Sequence, residues 1–282
     1  MPRTDNIAIL NDTLQILSQG YYEKNSNRII LKLSQQEMED IQVLLPQEVY
    51  AISQSTSFKP AKITNNCKIT CENIDSYSQA LKYAKEEEKP LVLNFANAVH
   101  PGGGVRNGAR AQEEDLCRKS SLLLSLESDA AKKYYHYNYS LHSFLASDAL
   151  MITPKVEIIK DVNAQLLDDT TIVPVITSAA PNIARGLEGK SEDQYQAMFY
   201  TRIETLLKCA AYFGYRKLIL GAWGCGAFYN DAATVARLFD QALKSLDYNG
   251  YHTDDLFTNI DFAVLDRTHA CYNFNMFQHY FH

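Results

Sequence analysis

The stretch LVLNFANAVHPGGGVRNGARAQEE, residues 91–114, decides the fold assignment because it joins a strand, a glycine loop and a helix start. Its apolar beginning is typical of a strand buried in a sheet. Three consecutive glycines follow. Because glycine has no Cβ and tolerates positive φ, such a loop can bring backbone N–H groups close to an anion. A helix predicted over about 112–126 would add positive potential beside the loop.

The same order of strand, glycine-rich turn and helix occurs a second time, in RKLILGAWGCGAF at 216–228. Gly221, Gly224 and Gly226 would permit close approach of a ligand to the backbone. Two such loops suit a ligand with two phosphates held from both sides. The first loop matches neither the Walker nor the G-x-G-x-x-G pattern, and taken alone it is more typical of a mobile surface turn.

The pattern of apolar residues predicts an alternation of strands and helices after residue 90. Strands are predicted at 28–33, 90–97, 149–154, 156–160, 170–181, 216–223 and 259–266, and helices at 5–19, 34–45, 75–87, 112–126, 191–213 and 231–246. Such alternation indicates an α/β domain with three α/β/α layers and ligand sites at the carboxyl ends of strands. Pro174 suggests an edge strand or a bulge, and 259–266 is expected to close the sheet. Residues 1–75 are expected to be an N-terminal helical extension packed on a core at 76–282.

Composition excludes several classes of function. The 282 residues are 46% hydrophobic, which is enough for a substantial core, and the net charge of −6 disfavours general nucleic-acid binding. The N-terminus is too polar for a signal peptide, and no apolar run reaches the length of a membrane span. Six cysteines in a chain of this length favour free thiols in the cytoplasm. Cys67 and Cys71 have no second pair at zinc-finger spacing, so no metal is expected.

Two adjacent carboxylates, Glu113 and Glu114, begin the helix that follows the first glycine loop. Acidic residues are common in a first helical turn because they favour the helix dipole. A carboxylic acid whose pKa is raised by burial or by ligand phosphates could instead protonate a leaving oxygen and then activate water. Phe228, at the exit of the second loop, could wall in a sugar or pack in the core. The basic and aromatic run KKYYHYNY at 132–139 is expected to be a loop packed on the domain.

The run NFANAVHPGGGVRNGARAQEE closely resembles the signature of poly(ADP-ribose) glycohydrolases, a glycine triplet followed by a short spacer and Gln-Glu-Glu. Here the three parts are Gly102-Gly103-Gly104, the spacer 105–111, and Gln112-Glu113-Glu114. Further blocks look like those of the bacterial branch, in order: NDTLQIL, ARAQEEDLCRKSSLL, VITSAAPN, GAWGCGAFYNDAATVARLF and FAVLD. The resemblance extends over essentially the whole chain.

The resemblance implies a macrodomain, with a mixed sheet between helices and ADP-ribose bound in a cleft. It implies that Glu114 is the catalytic acid/base and that Glu113 accepts hydrogen bonds from the ribose hydroxyls. The other implied substrate-binding residues are Asn97 at the same ribose, Gly102, Gly103 and Gly104 against the diphosphate and ribose, Gln112, the backbone of Gly224, Cys225, Gly226 and Ala227 at the diphosphate, and Phe228 over the ribose. No metal or other cofactor is implied, and the adenine pocket is left unassigned.

The activity that follows from the resemblance is hydrolysis of the ribose–ribose bonds of poly(ADP-ribose), with release of ADP-ribose. Two alternatives stay open: removal of single ADP-ribose groups from protein or nucleic acid, and ADP-ribose binding without chemistry. The intact Gln112-Glu113-Glu114 disfavours the second of these, since a pure binding module does not need the carboxylate pair. The expected partners are poly(ADP-ribose) or ADP-ribosylated macromolecules, without a membrane and without general nucleic-acid binding.

Overall fold

The computed structural model describes residues 2–282. Its strands are Tyr21–Lys24 (β1), Asn27–Ile30 (β2), Gln42–Leu44 (β3), Lys68–Glu72 (β4), Leu91–Phe95 (β5), Leu150–Lys160 (β6), Leu166–Ser178 (β7), Lys217–Leu220 (β8) and Asn259–Ala263 (β9). Its helices are Arg3–Gln19 (α1), Gln35–Met38 (α2), Pro46–Ser53 (α3), Ser76–Leu81 (α4), Gln112–Lys119 (α5), Leu122–Leu126 (α6), Lys132–Ser140 (α7), Glu192–Tyr212 (α8), Ala232–Ser245 (α9), Thr253–Leu256 (α10) and Tyr272–Tyr280 (α11).

A seven-stranded mixed sheet with the order β3-β6-β7-β5-β8-β9-β4 forms the centre of the molecule. The strands from β7 to β4 are parallel to one another, whereas β6 runs antiparallel to β7 and β3 antiparallel to β6. Both faces of the sheet are covered. Leu91 and Leu93 pack in the core on one face of the sheet, and Val92, between them, packs in the core on the other face. Side chains alternate between the two faces along a strand. The three-layer α/β/α arrangement with a mixed sheet is therefore confirmed.

The N-terminal part of the chain contributes strands to the central sheet as well as the predicted first helix. The predicted first helix is present as α1 and ends at Gly20, whose φ of 78° is that of a left-handed C-cap. In addition, β3 and β4 form the two outer strands of the central sheet. The prediction that 259–266 closes the sheet is wrong, because β9 lies between β8 and β4.

Two predicted boundaries are corrected by pairing within the sheet. The segments 149–154 and 156–160 are one strand, β6, with a bulge at residues 154–155 opposite Pro174. Pro174 thus lies in an interior strand, where the bulge accommodates its missing N–H. The helix predicted over 112–126 is divided into α5 and α6 at Ser120, because Ser120 leaves the helix and forms a bridge with Ile158.

Helix starts were predicted more accurately than helix ends. Ser191 and Asp231 cap α8 and α9 through hydrogen bonds from the backbone N–H groups of residues 194 and 234. Ser34 forms a capping box with Glu37, but α2 ends after a single turn because residues 42–44 pair with β6. The expected loop at 132–139 is the helix α7. Within residues 2–282, no helix is long and apolar enough to cross a membrane.

Candidate active site

The two glycine loops lie side by side at the carboxyl edge of the sheet. The first follows β5 and the second follows β8, and these strands are parallel neighbours with Leu91 opposite Leu218. Both loops therefore leave the sheet at the same edge, at the position where open α/β sheets place their ligands.

Glycine is required in both loops, as Gly103 in the first and Gly224 in the second illustrate. Gly103 has a φ of 57°, and a Cβ there would lie 2.5 Å from Glu114 Oε1 and 3.0 Å from Glu113 Oε2. Gly224 has a φ of 78°, and a Cβ there would lie 2.6 Å from the Cβ of Ala180. Both residues combine a left-handed backbone with a contact that leaves no room for a side chain.

Glu113 is held under the first loop by hydrogen bonds to both of its carboxyl oxygens. It is only 2% exposed; Oε2 accepts from the backbone N–H of Asn97 at 2.8 Å and Oε1 from the side-chain amide of Asn94 at 3.3 Å. Burial raises the pKa of Glu113 to about 8, and the neighbouring charge of Glu114 adds to this rise. At neutral pH this carboxyl group is therefore mostly protonated.

Glu114 is anchored through one oxygen only. Its Oε1 accepts from the backbone N–H of Gly104 at 2.9 Å. Its Oε2 is buried and has no hydrogen-bond partner among residues 2–282, although buried polar atoms are almost always paired. The side chain is 7% exposed, so the glycine triplet covers both carboxylates in this structure.

Gln112 holds the start of α5 against β5 through hydrogen bonds of its side-chain amide. Its amide binds the backbone of β5 at both ends, since Oε1 accepts from the N–H of Phe95 at 2.9 Å and Nε2 donates to the carbonyl of Leu93 at 2.7 Å. Nε2 also lies 3.1 Å from the hydroxyl of Ser76. These bonds fix the start of α5 against β5 and so set the position of Glu113 and Glu114.

Asn97 shapes the turn that leads into the first loop. Its side-chain oxygen accepts from the N–H groups of Val99 and His100, each at 2.9 Å. Together with the bond from its own N–H to Glu113, this ties the end of β5 to the carboxylate below the loop.

The second loop is held by a buried asparagine that no sequence pattern singled out. Asn230 donates to the carbonyls of Gly224 and Pro181, both at 2.9 Å, and accepts from the hydroxyl of Tyr195 at 2.6 Å. Trp223 is fully buried in the core. Burial raises the pKa of the Cys225 thiol well above its ordinary value, which disfavours a thiolate nucleophile at this position.

A cavity of about 530 Å³ opens between the second loop, α5 and the end of β9. The predicted site residues on its wall are Gln112, Gly224, Gly226, Ala227 and Phe228. Phe228 is half-buried and touches both the cavity and the core, so its position fits both interpretations given by the sequence. Glu113, Glu114 and the glycine triplet lie outside this wall.

The cavity also has a charged wall that the sequence did not reveal. Lys119 is only 3% exposed and forms ion pairs with Asp115 at 2.5 Å and with Asp75 at 3.7 Å. The spacing of four residues between Asp115 and Lys119 could have predicted the first pair. The second joins α5 to the N-cap of α4, and only the fold brings them together.

Comparison with known proteins was consistent with this site. The family described as microbial-type PARG (poly(ADP-ribose) glycohydrolase), catalytic domain, matches residues 11–161. The structure of poly(ADP-ribose) glycohydrolase from Thermomonospora curvata bound to the inhibitor ADP-HPD is 29% identical, covering 98% of this chain and 99% of that one, with a TM-score of 0.85. The enzyme from Deinococcus radiodurans in complex with ADP-ribose is 32% identical, covering 89% of this chain and 98% of that one, with a TM-score of 0.78. No curated protein matched the chain.

The fold and the family match thus define a glycoside hydrolase with the macrodomain architecture. The chain belongs to the microbial-type poly(ADP-ribose) glycohydrolase family. Its activity is that of a poly(ADP-ribose) glycohydrolase, as the resemblance of its glycine triplet and Gln-Glu-Glu had implied.

Proposed function

We propose that Glu114 is the general acid/base with which this enzyme cleaves ribose–ribose bonds and releases ADP-ribose. The hydrogen bonding of the two carboxylates carries the proposal. Glu113 has both oxygens engaged, whereas Glu114 is anchored through Oε1 and keeps Oε2 without a partner among the described residues. A positioned carboxyl oxygen that is otherwise unpaired is suited to protonate a leaving oxygen and then to deprotonate water.

Glu113 orients the ribose in this proposal. With a pKa of about 8 it is mostly neutral at physiological pH, so it can donate a hydrogen bond to a ribose hydroxyl as well as accept one. Environments that separate the behaviour of neighbouring carboxyl groups are a general way of dividing acid and base roles.

The second loop is the proposed diphosphate site. Within residues 2–282, the backbone N–H groups of Gly224, Gly226 and Ala227 donate no hydrogen bond, whereas that of Cys225 is used on the carbonyl of Ala222. Three available donors at the rim of a cavity suit a diphosphate, whose negative charge they would stabilise without a metal. The cavity volume of about 530 Å³ is in the range of sites for small ligands.

Access to the carboxylates requires the glycine triplet to move. Both carboxylates are nearly covered, and Gly103 lies against each of them. A ribose that reached Glu114 Oε2 would therefore displace the loop, with Gly102, Gly103 and Gly104 then packed on the sugar. Asn97, at the start of this loop, would contact the same ribose, and Phe228 would flank it from the second loop.

The proposal is tested with labelled poly(ADP-ribose), wild type beside Glu114→Gln, with product sizes resolved. The variant is expected to lose at least about a hundredfold in kcat, because general acid–base catalysis typically contributes that much or more. Its affinity for ADP-ribose, measured by calorimetry, should be retained. Glu192→Gln is the matched control, since Glu192 is an exposed glutamate in the first turn of α8. Polymer hydrolysis by Glu114→Gln at the parental rate would disprove the assignment.

The same proposal extends to partners and location. Poly(ADP-ribose) and ADP-ribosylated macromolecules are the proposed partners, with no general affinity for nucleic acid because the net charge is −6. We place the enzyme in the cytoplasm, since its six cysteines are free thiols, as is usual in a reducing compartment.

A further inference from the structure

The order of the strands shows where the polymer leaves the proposed site. The cavity is lined by Phe95 at the end of β5, by the loop after β8 and by the end of β9, and the two proposed catalytic carboxylates lie on α5, under the loop that follows β5. The next strand in the same direction is β7, and the loop after it, 179–190, borders the cavity only at Ala180, whereas its other residues lie outside the cavity wall. Because β6 is antiparallel to β7, the loop before β6, 141–149, reaches the same edge.

Backbone hydrogen bonds join these two loops to the proposed diphosphate site. The N–H of Asn182 donates to the carbonyl of Phe144 at 3.0 Å, and the N–H of Ile183 donates to the carbonyl of Phe228 at 3.1 Å. Phe144 is thus connected through two consecutive residues to the loop that ends at Phe228. This places Phe144 beside the catalytic edge, outside the cavity.

An arginine covers the exposed ring of Phe144. The phenyl group is 44% exposed, and the guanidinium carbon of Arg185 lies 4.5 Å from its centroid. No carboxylate among residues 2–282 forms an ion pair with Arg185. Glu188, three residues further on, uses its oxygens on the hydroxyl of Ser143 and the N–H of Phe144. We call Phe144 and Arg185 the outer pair.

The backbone under the outer pair is rigidly held. Arg202, which is 3% exposed, donates to the carbonyls of Leu145 and Ala179 and forms a 2.7 Å ion pair with Asp148. One buried guanidinium therefore connects the loop before β6 to the end of β7. An apolar ring left exposed on a braced loop is already ordered, so a ligand that stacks on it loses little conformational entropy.

Aromatic rings and arginine planes are the side chains on which nucleobases stack, and arginine also pairs with phosphate. In poly(ADP-ribose) the leaving oxygen belongs to the adenosine ribose of the neighbouring unit, so an adenine necessarily lies close to the leaving side of the scissile bond. We propose that the outer pair is a subsite for this leaving-side adenosine, with Arg185 also facing its diphosphate. The inference rests on the proposed function, because it takes the bond next to Glu114 as the one that is cleaved.

The test compares two substrates: poly(ADP-ribose), and ADP-ribose with a nitrophenyl group at the anomeric carbon, which has no leaving-side adenosine. Phe144→Ala and Arg185→Ala are each expected to lower kcat/KM for polymer by about tenfold, in line with the effect of removing one base-stacking side chain. Turnover of the nitrophenyl substrate should stay within about twofold of wild type. Thermal melting shows that each variant is folded.

Two control variants match the outer pair in chemistry but lie at the opposite edge of the sheet. Tyr212 at the end of α8 is 46% exposed, close to the exposure of Phe144. Arg28 covers the ring of Tyr21 at 4.1 Å, as Arg185 covers Phe144. Tyr212→Ala and Arg28→Ala should leave both substrates unaffected.

Equal losses on the two substrates, or no loss on polymer in folded variants, would overturn the proposed subsite. A wild-type enzyme that cleaves neither substrate, or a Glu114→Gln variant that cleaves polymer normally, would instead overturn the proposed function.

Discussion

The two glycine loops both follow a strand and precede a helix, but they differ in the hydrogen bonds that their backbone N–H groups make. In the first, the N–H of Gly104 binds Glu114, that of Gly103 binds the carbonyl of His100, and that of Gly102 lowers the pKa of Glu113 by hydrogen bonding. In the second, the N–H groups of Gly226 and Ala227 donate no hydrogen bond within residues 2–282, and both residues line the cavity. The first loop thus holds the enzyme's own carboxylates, while the second keeps donors for the diphosphate that we propose it binds.

This difference shows that a glycine loop after a strand does not by itself define an anion site. What matters is whether the chain has already supplied the anion. Glu113 and Glu114 follow the first loop closely in sequence and take up its donors. The second loop is followed by Asn230, a neutral side chain that binds carbonyls and leaves the outward donors unused. The following predictions test the contrast, from the largest expected effect to the smallest.

Replacing Gly103 by alanine should have the largest effect on stability. The new Cβ would clash with both carboxylates and would have to adopt a left-handed backbone, so Gly103→Ala is expected to cost about 3 kcal/mol in free energy of unfolding and most of the turnover. Urea denaturation and a polymer assay measure the two effects. A variant with parental stability would mean that the loop does not pack on the carboxylates as described.

Replacing Asn230, which holds the second loop, should have the second largest effect on stability. Asn230→Ala removes the side-chain partner of the buried Tyr195 hydroxyl and of the Pro181 carbonyl, while the Gly224 carbonyl keeps the backbone N–H of residue 230, with an expected cost of about 2 kcal/mol. Because the second loop is the proposed binding element, KM should rise more than kcat falls. Asn249 is the matched control, since its amide also donates to two carbonyls but is exposed. Asn249→Ala should cost less and leave KM unchanged, and equal effects on KM would contradict the proposed role of the second loop.

The buried carboxyl of Glu113 should make stability depend on pH. Its pKa is 4.5 in the unfolded chain and about 8 in the folded one, so the folded state binds the extra proton between these values. The stabilisation is complete below about pH 4.5 and is lost as the pH rises through 8. Wild type should therefore lose roughly 1 kcal/mol per pH unit between 6 and 7 relative to Glu113→Gln, which cannot titrate.

Thermal melts of both proteins across this pH range make the comparison. Parallel curves would show that Glu113 is ionised in the folded enzyme at neutral pH.

The smallest effect is expected at Gly226. A Cβ at this position meets nothing within 4 Å, and the backbone is outside the left-handed region. Gly226→Ala should change the free energy of unfolding by less than about 0.5 kcal/mol, as is usual for surface substitutions. Chemical denaturation beside Gly103→Ala provides the check. A cost similar to that of Gly103→Ala would remove the distinction between a loop packed on carboxylates and a loop facing open space.

Features that depend on neighbours in sequence were predicted well. The apolar runs identified β5 and β8, and Ser191 and Asp231 marked the starts of α8 and α9 because a cap acts within one turn. The capping pattern at Ser34 predicted the start of α2 correctly and its end wrongly, because the chain leaves the helix to form β3. No strand was predicted at β4, which lies in a polar stretch and forms a strand because it pairs in parallel with β9.

The arrangement of the candidate site was predictable only in part. The sequence placed two glutamates beside a glycine triplet, but it could not tell which carboxyl oxygen would remain unpaired. That depends on Asn94, whose amide comes from the interior of β5. Equally, Lys119 meets Asp75, and Arg185 meets Phe144, across long intervals of chain.

By itself the sequence determined the chemistry available to this protein: the carboxylate pair, the two glycine loops and the family to which they belong. These are properties of short segments, whose glycines and acids act within a few residues of one another. Only the tertiary structure decided the direction in which each loop turns its N–H groups, the oxygen that is left unpaired and the surface beyond the cleft. Those features are set by the order of strands in the sheet, which brings distant residues within hydrogen-bonding distance, and hydrogen bonds act only at such short range.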